Sequence, residues 1–330
     1  MQGLIVADDI DELRERSDIV EVVAGHLKLR KAGRMFKGLC CFHQEKTPSF
    51  TVDPDKQLFH CFGCGVGGDV FTFIRRVEGL TFTEAAERLA GRVAMTLRYE
   101  GGSAEKGRSR HALLDACTEA CEYFQNLLQT SPEAAAARRY LEGRGFGPQE
   151  GAEFKLGYAP QGRDTLYRHL LSKKFTSQNI VEAGLALVTD DGQHRDRFRG
   201  RLMFPVSDIT GNVIGFGART LTEEQPKYLN SPESAIYHKA KLLYGLDKAK
   251  ASITTSGTAV VTEGYTDVMG LWKAGIKTAV ATCGTALGEE HFVLLKRFCE
   301  RVVLAFDADA AGVVASERGF GLHERIGLEV

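Results

Sequence analysis

Two pairs of cysteine and histidine residues near the start of the chain limit its possible folds more than any other feature. Cys40 and His43 are separated by two residues, as are Cys61 and Cys64, and seventeen residues lie between the pairs. Pairs with this spacing can bring four ligands to one tetrahedral Zn²⁺ ion. Three thiolates and one imidazole leave no open coordination position. The sequence therefore predicts a structural zinc site, whose binding energy is largely folding energy.

Alternatives to this ligand set remain at this stage. The adjacent Cys41 could replace Cys40, although the two-residue spacing to His43 favours Cys40. His60 offers a competing nitrogen beside the second pair, and the cysteines could instead be redox-active or unbound. The remaining cysteines lie in apolar, periodic segments and are interpreted as small buried hydrophobic residues: Cys117, Cys121, Cys283 and Cys299.

Length and composition set broad limits on the chain. Its 330 residues are enough for two or three domains. The net charge of -1 means that a nucleic-acid-binding role would have to rest on local basic patches. The chain lacks the run of roughly 18 apolar residues that a membrane span needs, and its acidic start is unlike a secretory signal. A cytoplasmic location is expected, where eight cysteines indicate thiols and metal ligation instead of disulfides.

Changes in composition divide the chain into four segments. Residues 1–100 contain a helical stretch, the cysteine pairs with short β-like runs, and helices that Asp69 and either Thr81 or Thr83 could cap. Residues 101–110 are nearly free of apolar residues and are predicted to be a flexible linker. Residues 111–257 form a mixed α+β part that includes a hairpin turning at Thr210-Gly211-Asn212.

Strands and helices alternate from residue 258 to the end of the chain. This βαβ pattern predicts a parallel sheet with right-handed crossovers. The final Leu-Glu-Val resembles the beginning of a fourth strand, so we expect the sheet to be incomplete and the chain to be a piece of a longer protein. The predicted fold class is thus multidomain α+β and α/β: a zinc ribbon, a mixed α+β subdomain and a parallel βα sheet truncated at its C-terminus.

Acidic residues follow two of the predicted parallel strands. Glu263 comes after the apolar run 259–261, and Asp307 and Asp309 come after the run 302–306. Functional residues in such sheets gather at the carboxyl ends of the strands. Grouped carboxylates suit a hard divalent cation such as Mg²⁺, which binds substrate phosphates. The alternative is that the Asp-x-Asp pair is a helix cap or an ordinary surface pair.

Basic residues are concentrated in two regions. One precedes the first cysteine pair, where phenylalanines are interleaved, and contains Lys28, Arg30, Lys31 and Arg34. The other lies between the two predicted metal sites and contains Arg219, Lys227, Lys239 and Lys241. Cations beside accessible rings suit single-stranded nucleic acid, because phosphates pair with the cations and bases stack on the rings. The alternative is that the cations are solvated and the rings fill the small core of the ribbon.

Several motifs together resemble one family. The segment CCFHQEKTPSFTVDPDKQLFHCFGCGVGGDVFTFI resembles the zinc-binding domain of bacterial, DnaG-type DNA primases. GFGART, PKYLNSPE and HKAKLLYGL resemble the basic motifs of the RNA polymerase domain of that family. EGYTDV, TCGTA and FDADAAG resemble its Toprim fold, which topoisomerases share. The resemblance covers essentially the whole chain, in the same order.

The resemblance assigns roles to individual residues. It implies zinc ligation by the four residues of the two pairs, and catalytic Mg²⁺ or Mn²⁺ at Glu263, Asp307 and Asp309, with Asp267 nearby. It also implies template or nucleotide contacts at Arg144, Arg219, Lys227, Asn230 and Lys239. Members of the family make short RNA primers on single-stranded DNA from ribonucleoside triphosphates and work with the replicative helicase. The chain departs from the family pattern at Cys41, where proline is usual, and at Ala308 and Ala310.

Three functional hypotheses follow. The leading one is the N-terminal part of a primase, a metal-dependent nucleotidyltransferase whose helicase-binding region would lie beyond residue 330. The second is a catalytically incomplete fragment that acts as a zinc-dependent single-stranded DNA-binding module. The third is a Toprim nuclease or topoisomerase, although no segment resembles the tyrosine domain that a topoisomerase of that class needs.

Overall fold

The computed structural model describes residues 5–43, 45–99, 104–306 and 327–330, with the side chains of 104–109 excepted. The predicted site residues Asp307 and Asp309 and the predicted third helix of the βα series therefore lie outside the described residues. The chain forms two compact units, Met1–Gly107 and Arg108–Val330. Within the described part, no helix has the length and apolar character that a membrane span requires.

The described residues of the first unit before residue 104 form an antiparallel sheet with four helices. The helices are α1 (Ala7–Arg16), α2 (Ile19–Ala24), α3 (Val70–Val77) and α4 (Phe82–Arg92). The strands are β1 (Arg30–Ala32), β2 (Met35–Gly38), β3 (Phe50–Asp53), β4 (Leu58–Cys61) and β5 (Gly67–Gly68). The strands pair in chain order, from β1 to β5.

Polar caps determine where two of these helices begin. The Asp69 side chain accepts a hydrogen bond from the backbone N–H of Thr72 at 2.9 Å, which caps α3 as predicted. Thr81, not Thr83, caps α4, and its side chain and that of Glu84 form a reciprocal capping box. These caps satisfy backbone donors that have no partner inside the helix.

Aromatic rings fill the core of the first unit. Phe50 and Phe59 stack with their centroids 5.2 Å apart, and Phe73 and Phe42 meet them at 5.4 to 6.1 Å. Phe62 is different, because 73% of its surface is exposed. The alternative in which rings fill the ribbon core is therefore correct for most of the phenylalanines, and Phe62 is left available for a ligand.

The second unit contains the remaining elements. Its helices are α5 (Ala104–Thr130), α6 (Ala135–Gly143), α7 (Pro148–Glu153), α8 (Thr165–Ser172), α9 (Ser177–Glu182), α10 (Leu246–Ser256), α11 (Tyr265–Lys273) and α12 (Glu289–Leu295). Its strands are β6 (Gly157–Ala159), β7 (Ala186–Val188), β8 (His194–Asp196), β9 (Arg201–Ser207), β10 (Val213–Thr220), β11 (Tyr228–Asn230), β12 (Leu243–Tyr244), β13 (Thr258–Thr262), β14 (Ala279–Thr282) and β15 (Arg301–Ala305). Helix α5 begins inside the segment 101–110 that the sequence predicts to be a flexible linker, so residues from Ala104 onward are helical. The division into four segments otherwise stays a prediction.

An antiparallel sheet with the order β11-β10-β9-β6 forms one half of this unit. The predicted hairpin is its centre, since β9 and β10 pair antiparallel. The Asp208 side chain stabilises the turn by accepting hydrogen bonds from the backbone N–H groups of Thr210 and Asn212 at 2.9 and 3.0 Å. This sheet positions the GFGART and KYLN motifs on neighbouring strands.

The second sheet has the order β12-β14-β13-β15, in which β13 pairs parallel with both β14 and β15. The predicted strands of the βα series are thus confirmed. The two-residue strand β12, which pairs antiparallel with β14, was not predicted. Glu329 forms a parallel bridge with Arg301 at the outer side of β15, where the final residues were expected to begin another strand.

Candidate functional site

The four predicted zinc ligands lie together in the first unit. Cys40 Sγ is 3.9 Å from Cys64 Sγ, and Cys61 Sγ is 3.8 Å from Nδ1 of His43. One ligand atom from each of the four residues falls within a group no wider than 4.8 Å. A zinc tetrahedron with Zn–S bonds of about 2.3 Å has sulfur–sulfur edges of about 3.7 Å. The donor set and its spacing therefore fit Zn²⁺.

Chain direction explains how the two pairs meet. Cys61 is the last residue of β4, and a tight turn with a 2.9 Å hydrogen bond from Gly65 N–H to the Cys61 carbonyl brings Cys64 back. Cys40 follows β2, which pairs with β3 beside β4. Cys41 is exposed and lies outside the cluster, and the cluster does not include His60. This geometry favours Cys40 over both alternatives.

The surroundings of two of the thiols differ. Burial raises the pKa of the Cys40 thiol to about 12. Burial also acts to raise the pKa of Cys61, but hydrogen bonds from the Ser49 hydroxyl and from the backbone N–H groups of Cys64 and Gly63 lower it to about 6. Donors around a sulfur stabilise thiolate, the form in which cysteine binds a metal.

Glu45 organises the loop between the two pairs, and the sequence patterns did not single it out as functional. Its Oε1 accepts hydrogen bonds from the backbone N–H groups of Cys40 at 2.7 Å and Ser49 at 3.1 Å. Its Oε2 accepts the Ser49 hydroxyl, which itself lies 3.2 Å from Cys61 Sγ. The same Oε2 lies 3.2 Å from Nε2 of His43. This one carboxylate thus contacts two predicted ligands, Cys40 and His43, directly, and a third, Cys61, through the Ser49 hydroxyl.

A row of side chains crosses the sheet of the first unit on the face opposite the aromatic core. Register places Arg30 opposite Lys37, Lys37 opposite Thr51, Thr51 opposite His60 and His60 opposite Gly67. The exposed ring of Phe62 meets the edge of His60 with 4.7 Å between centroids. We define these residues as the ribbon face. The predicted basic residues Lys28, Lys31 and Arg34 are also exposed in this region of the chain.

A second cluster, in the second unit, brings two predicted arginines to one ring. The guanidinium carbon of Arg219 lies 4.3 Å from the ring centroid of Tyr140, and that of Arg144 lies 5.5 Å from the same centroid. Arg219 also donates a 3.1 Å hydrogen bond to the hydroxyl of Tyr228, its cross-strand neighbour. Tyr140 lies in the last turn of α6. It belongs to no motif, and sequence reasoning missed it. Cation–π contact of this kind orients an arginine without neutralising it.

The other predicted contact residues occupy three different settings. Lys227 is exposed and lines a cleft with Arg219, Thr222 and Glu224. Lys239 and Lys241 lie in a 3-10 turn, Lys239–Lys241, and Lys241 is 3.7 Å from Glu290. Asn230, by contrast, uses its side-chain amide for hydrogen bonds within the protein. The lysines therefore present charge at the surface, whereas the amide of Asn230 is already engaged.

The described part of the acidic site lies at the carboxyl ends of adjacent parallel strands. Glu263 follows β13 directly and is exposed, and Gly284 comes two residues after β14. Asp267 accepts a 3.0 Å hydrogen bond from the backbone N–H of Gly264 and so caps α11. Burial raises the pKa of Tyr140, and Arg219, Tyr228, Arg144 and Asp267 act on it electrostatically. The ring of Tyr265, the first residue of α11, lies 6.1 Å from the ring of Tyr228, to which Arg219 donates, so the arginine cluster lies near the start of α11.

Comparison with known proteins agrees with this arrangement. Family models match in three consecutive segments: the CHC2 zinc finger over residues 5–105, the N-terminal domain of the DNA primase catalytic core over 123–250, and the Toprim domain over 257–330. A DNA primase from Streptomyces coelicolor is 46% identical over 341 residues, which cover 100% of this chain and 53% of that protein. The zinc-binding and RNA polymerase domains of the Aquifex aeolicus primase superpose with a TM-score of 0.64 at 37% identity, covering 97% of this chain and 77% of that one. A DnaG primase catalytic domain bound to ssDNA superposes with a TM-score of 0.61 at 38% identity, covering 66% and 67%.

These matches define a protein class in which a zinc ribbon precedes a catalytic core with a Toprim sheet. The chain belongs to the family of bacterial, DnaG-type DNA primases. It spans about half the length of the curated relatives that it matches, 53% and 55% of the first two. The zinc finger match and the Cys/His cluster both support Zn²⁺ as a bound metal.

Proposed function

We propose that the chain contains the template-binding and nucleotidyl-transfer parts of a DNA primase, which makes short RNA primers on single-stranded DNA from ribonucleoside triphosphates. The observation that carries this proposal is the position of the arginine cluster. Arg219 and Arg144 share the ring of Tyr140, and Arg219 also contacts Tyr228, whose ring lies 6.1 Å from that of Tyr265 at the start of α11. A phosphate-binding cluster beside an acidic strand edge is what the transfer of a nucleotidyl group requires.

Zinc has a structural role in this proposal. Cys40, His43, Cys61 and Cys64 would hold the ion, and the donor set leaves no coordination position open. Because Cys61 ends β4 and Cys40 follows β2, the ion would join the two sides of the ribbon and keep the ribbon face flat. Zinc then affects template binding only through the fold of the first unit.

The ribbon face would bind single-stranded template. Arg30 and Lys37 would pair with phosphates, while Phe62 and His60 offer rings on which bases can stack. The ssDNA-bound catalytic domain among the similar structures supports DNA as the ligand of the second unit. There, Arg219, Lys227 and Lys239 would contact template or nucleotide phosphates, as the family resemblance implies.

The catalytic metal would be Mg²⁺ or Mn²⁺, held by Glu263 together with Asp307 and Asp309, which lie outside the described residues. When bound, such ions neutralise charge on the reacting phosphates and favour attack by a hydroxyl group. The residues of this chain contribute binding and orientation: Arg144 and Arg219 hold phosphate oxygens, and Asp267 keeps the start of α11 in place. We extend the proposal to a replicative helicase as a partner of the whole protein.

The test is ribonucleotide incorporation by the 330-residue chain on single-stranded DNA with Mg²⁺ or Mn²⁺. Glu263→Gln and Asp307→Ala should abolish the RNA products while zinc content stays unchanged. Glu300→Gln, which changes an exposed carboxylate just before β15, is the matched control and should retain activity. Undiminished synthesis by Glu263→Gln would contradict the metal assignment.

Two other results would favour the alternative functions. DNA binding with one bound zinc but no RNA product would favour the DNA-binding module. Metal-dependent strand scission would favour a Toprim nuclease.

A further inference from the structure

The last residue of the short strand β11 is held by hydrogen bonds from helix α11, from the loop after β14 and from the segment between β8 and β9. The strand has three residues and lies at the edge of its sheet, where β10 is its hydrogen-bonded neighbour. A short edge strand paired on one side is weakly restrained by backbone bonds alone. Additional ties are therefore needed if its side chains are to keep one position.

Asn230 supplies these ties at the end of β11. Its Oδ1 accepts a 2.7 Å hydrogen bond from the hydroxyl of Tyr265, and its Nδ2 donates a 3.0 Å hydrogen bond to the carbonyl of Cys283. Its backbone carbonyl accepts hydrogen bonds from the guanidinium of Arg197 at 2.9 and 3.3 Å. Three segments distant in sequence thus converge on this one residue.

Tyr265 reaches Asn230 across the face of the antiparallel sheet. Register places Phe204, Gly217 and Asn230 side by side on β9, β10 and β11. The ring of Tyr265, only 4% exposed, stacks on Phe204 with 5.0 Å between centroids and an interplanar angle of 15°. A Cβ atom at Gly217 would overlap this ring, and one at Gly284 would overlap the Asn230 amide. Glycine in the GFGART and TCGTA motifs is therefore what allows the two sheets to approach.

The tie extends to the arginine cluster. Side chains two residues apart in a strand point to the same face, so Tyr228 lies beside Asn230 on the face that also carries Gly217 and Arg219. Arg219 donates to the Tyr228 hydroxyl at 3.1 Å. Tyr265 begins α11 only two residues after Glu263. The path Tyr265, Asn230, Tyr228, Arg219 therefore connects the acidic strand edge to the phosphate-binding cations.

We infer that Tyr265 and Asn230 are positioning residues, which set the distance between the arginine cluster and the acidic strand edge. The family resemblance implies that Asn230 contacts template or nucleotide. In this inference Asn230 acts instead through its contacts within the protein. This inference rests on the proposed function. Because a misplacement of about 1 Å can lower a rate by roughly 100-fold, loss of the tie should slow the reaction without unfolding the protein.

The test combines Tyr265→Phe, Asn230→Ala and the double variant. Tyr265→Phe removes the hydroxyl and retains the ring over Gly217. Each single variant should lower kcat/KM for ribonucleotide incorporation by roughly tenfold, and the double variant should be no slower than the slower single one. Tyr167→Phe is the matched control, because it removes a 2.8 Å hydrogen bond to Ser177 away from this path and should leave kcat/KM unchanged.

Two kinetic results would overturn the inference. If the effects of the single variants multiply, Asn230 acts independently of Tyr265, as a residue that binds nucleotide would. If Tyr265→Phe lowers only the Tm and leaves kcat/KM within twofold, the contact is merely structural.

Hydrogen–deuterium exchange separates this inference from the proposed function. Tyr265→Phe should raise amide exchange in residues 228–231 and 283–285 and leave the zinc ribbon unchanged. Unchanged exchange in these segments would refute the tie itself. Absence of RNA product from the unaltered chain would refute the proposed function, while the exchange result would still decide whether the hydroxyl holds β11.

Discussion

Oε2 of Glu45 lies 3.2 Å from Nε2 of His43, while Nδ1 of the same ring faces Cys61 Sγ at 3.8 Å. A carboxylate in this position selects the nitrogen that binds a metal and fixes the orientation of the ring. His43 is thereby expected to ligate through Nδ1. A residue outside the Cys/His pattern, Glu45, thus contacts one of the predicted ligands and orients it.

Replacing Glu45 should weaken zinc binding without removing a ligand. Glu45→Gln keeps the size of the side chain but removes the charge that faces His43, so zinc affinity should fall by roughly 10- to 100-fold. Competition with a chromophoric chelator measures this change. Glu12→Gln, an exposed carboxylate on α1, is the control, and an equal loss in both variants would contradict the role of Glu45.

Cys40 and Cys41 should behave differently when replaced by serine. Cys40 belongs to the four-residue cluster, whereas Cys41 is exposed and outside it. Cys40→Ser should therefore lose stoichiometric zinc and unfold the first unit, because structural zinc supplies folding energy. Cys41→Ser should retain one zinc per chain. Metal analysis and circular dichroism decide the matter, and the reverse pattern would show that Cys41 is the ligand.

Tyr140 should affect nucleotide or template binding through the two arginines that share its ring. A cation–π contact contributes roughly 0.5–2 kcal/mol, so Tyr140→Leu should raise the KM for ribonucleotides by roughly 2- to 30-fold. Tyr140→Phe keeps the ring and should stay close to the unaltered chain. A large loss in Tyr140→Phe would instead indicate that the hydroxyl itself is required.

The stability of the first unit should depend on pH through Asp9. This carboxylate is 2% exposed and binds Arg98, whose guanidinium lies 2.6 Å away and whose backbone N–H also donates to it. Burial acts to raise the pKa of Asp9, but the Arg98 hydrogen bonds and charge outweigh burial and lower it. A lowered folded-state pKa stabilises the fold above the unfolded-state value of about 3.9, and this stabilisation is lost as the pH falls through the folded-state pKa.

Asp9→Asn tests this dependence. It should lower the free energy of unfolding at pH 7 by roughly 1–3 kcal/mol and flatten its pH dependence below about pH 4. Denaturant titrations between pH 2 and 7 measure both effects. Asp8→Asn, on the exposed side of the same helix, should change little, and an unaltered pH profile in Asp9→Asn would disprove the proposed role of this ion pair.

Local sequence signals predicted the parts of the fold that depend on neighbouring residues. The cap at Asp69, the choice of Thr81 or Thr83 for the next cap, the hairpin turn at Thr210-Gly211-Asn212 and the alternation of strands and helices after residue 258 all follow from short-range chemistry. The convergence of the four predicted zinc ligands was predictable because metal geometry imposes it. Strand β12 was not, since two residues carry no periodicity and its pairing depends on β14.

Sequence reasoning predicted which types of residue lie near the site. It was less successful in predicting which residues contact each other. Asn230 has the chemistry of a nucleotide ligand, yet its amide is engaged by Tyr265 and Cys283. Tyr140 belongs to no motif and still meets two predicted arginines. The Asn230 contacts and the contact of Arg219 with Tyr140 join segments more than 30 residues apart in the chain, which spacing cannot reveal. Arg144 is four residues from Tyr140, so that contact is the local one of the two.

The contact of Tyr265 with the row Phe204, Gly217 and Asn230 also bears on how the second unit unfolds. Buried residues of the antiparallel and parallel sheets belong to one continuous hydrophobic core, and Tyr265 is part of it. Elements that share a core tend to open as one cooperative block instead of separately. The half built on the antiparallel sheet and the half built on the parallel sheet would then be lost together, so that partial unfolding leaves neither half standing alone.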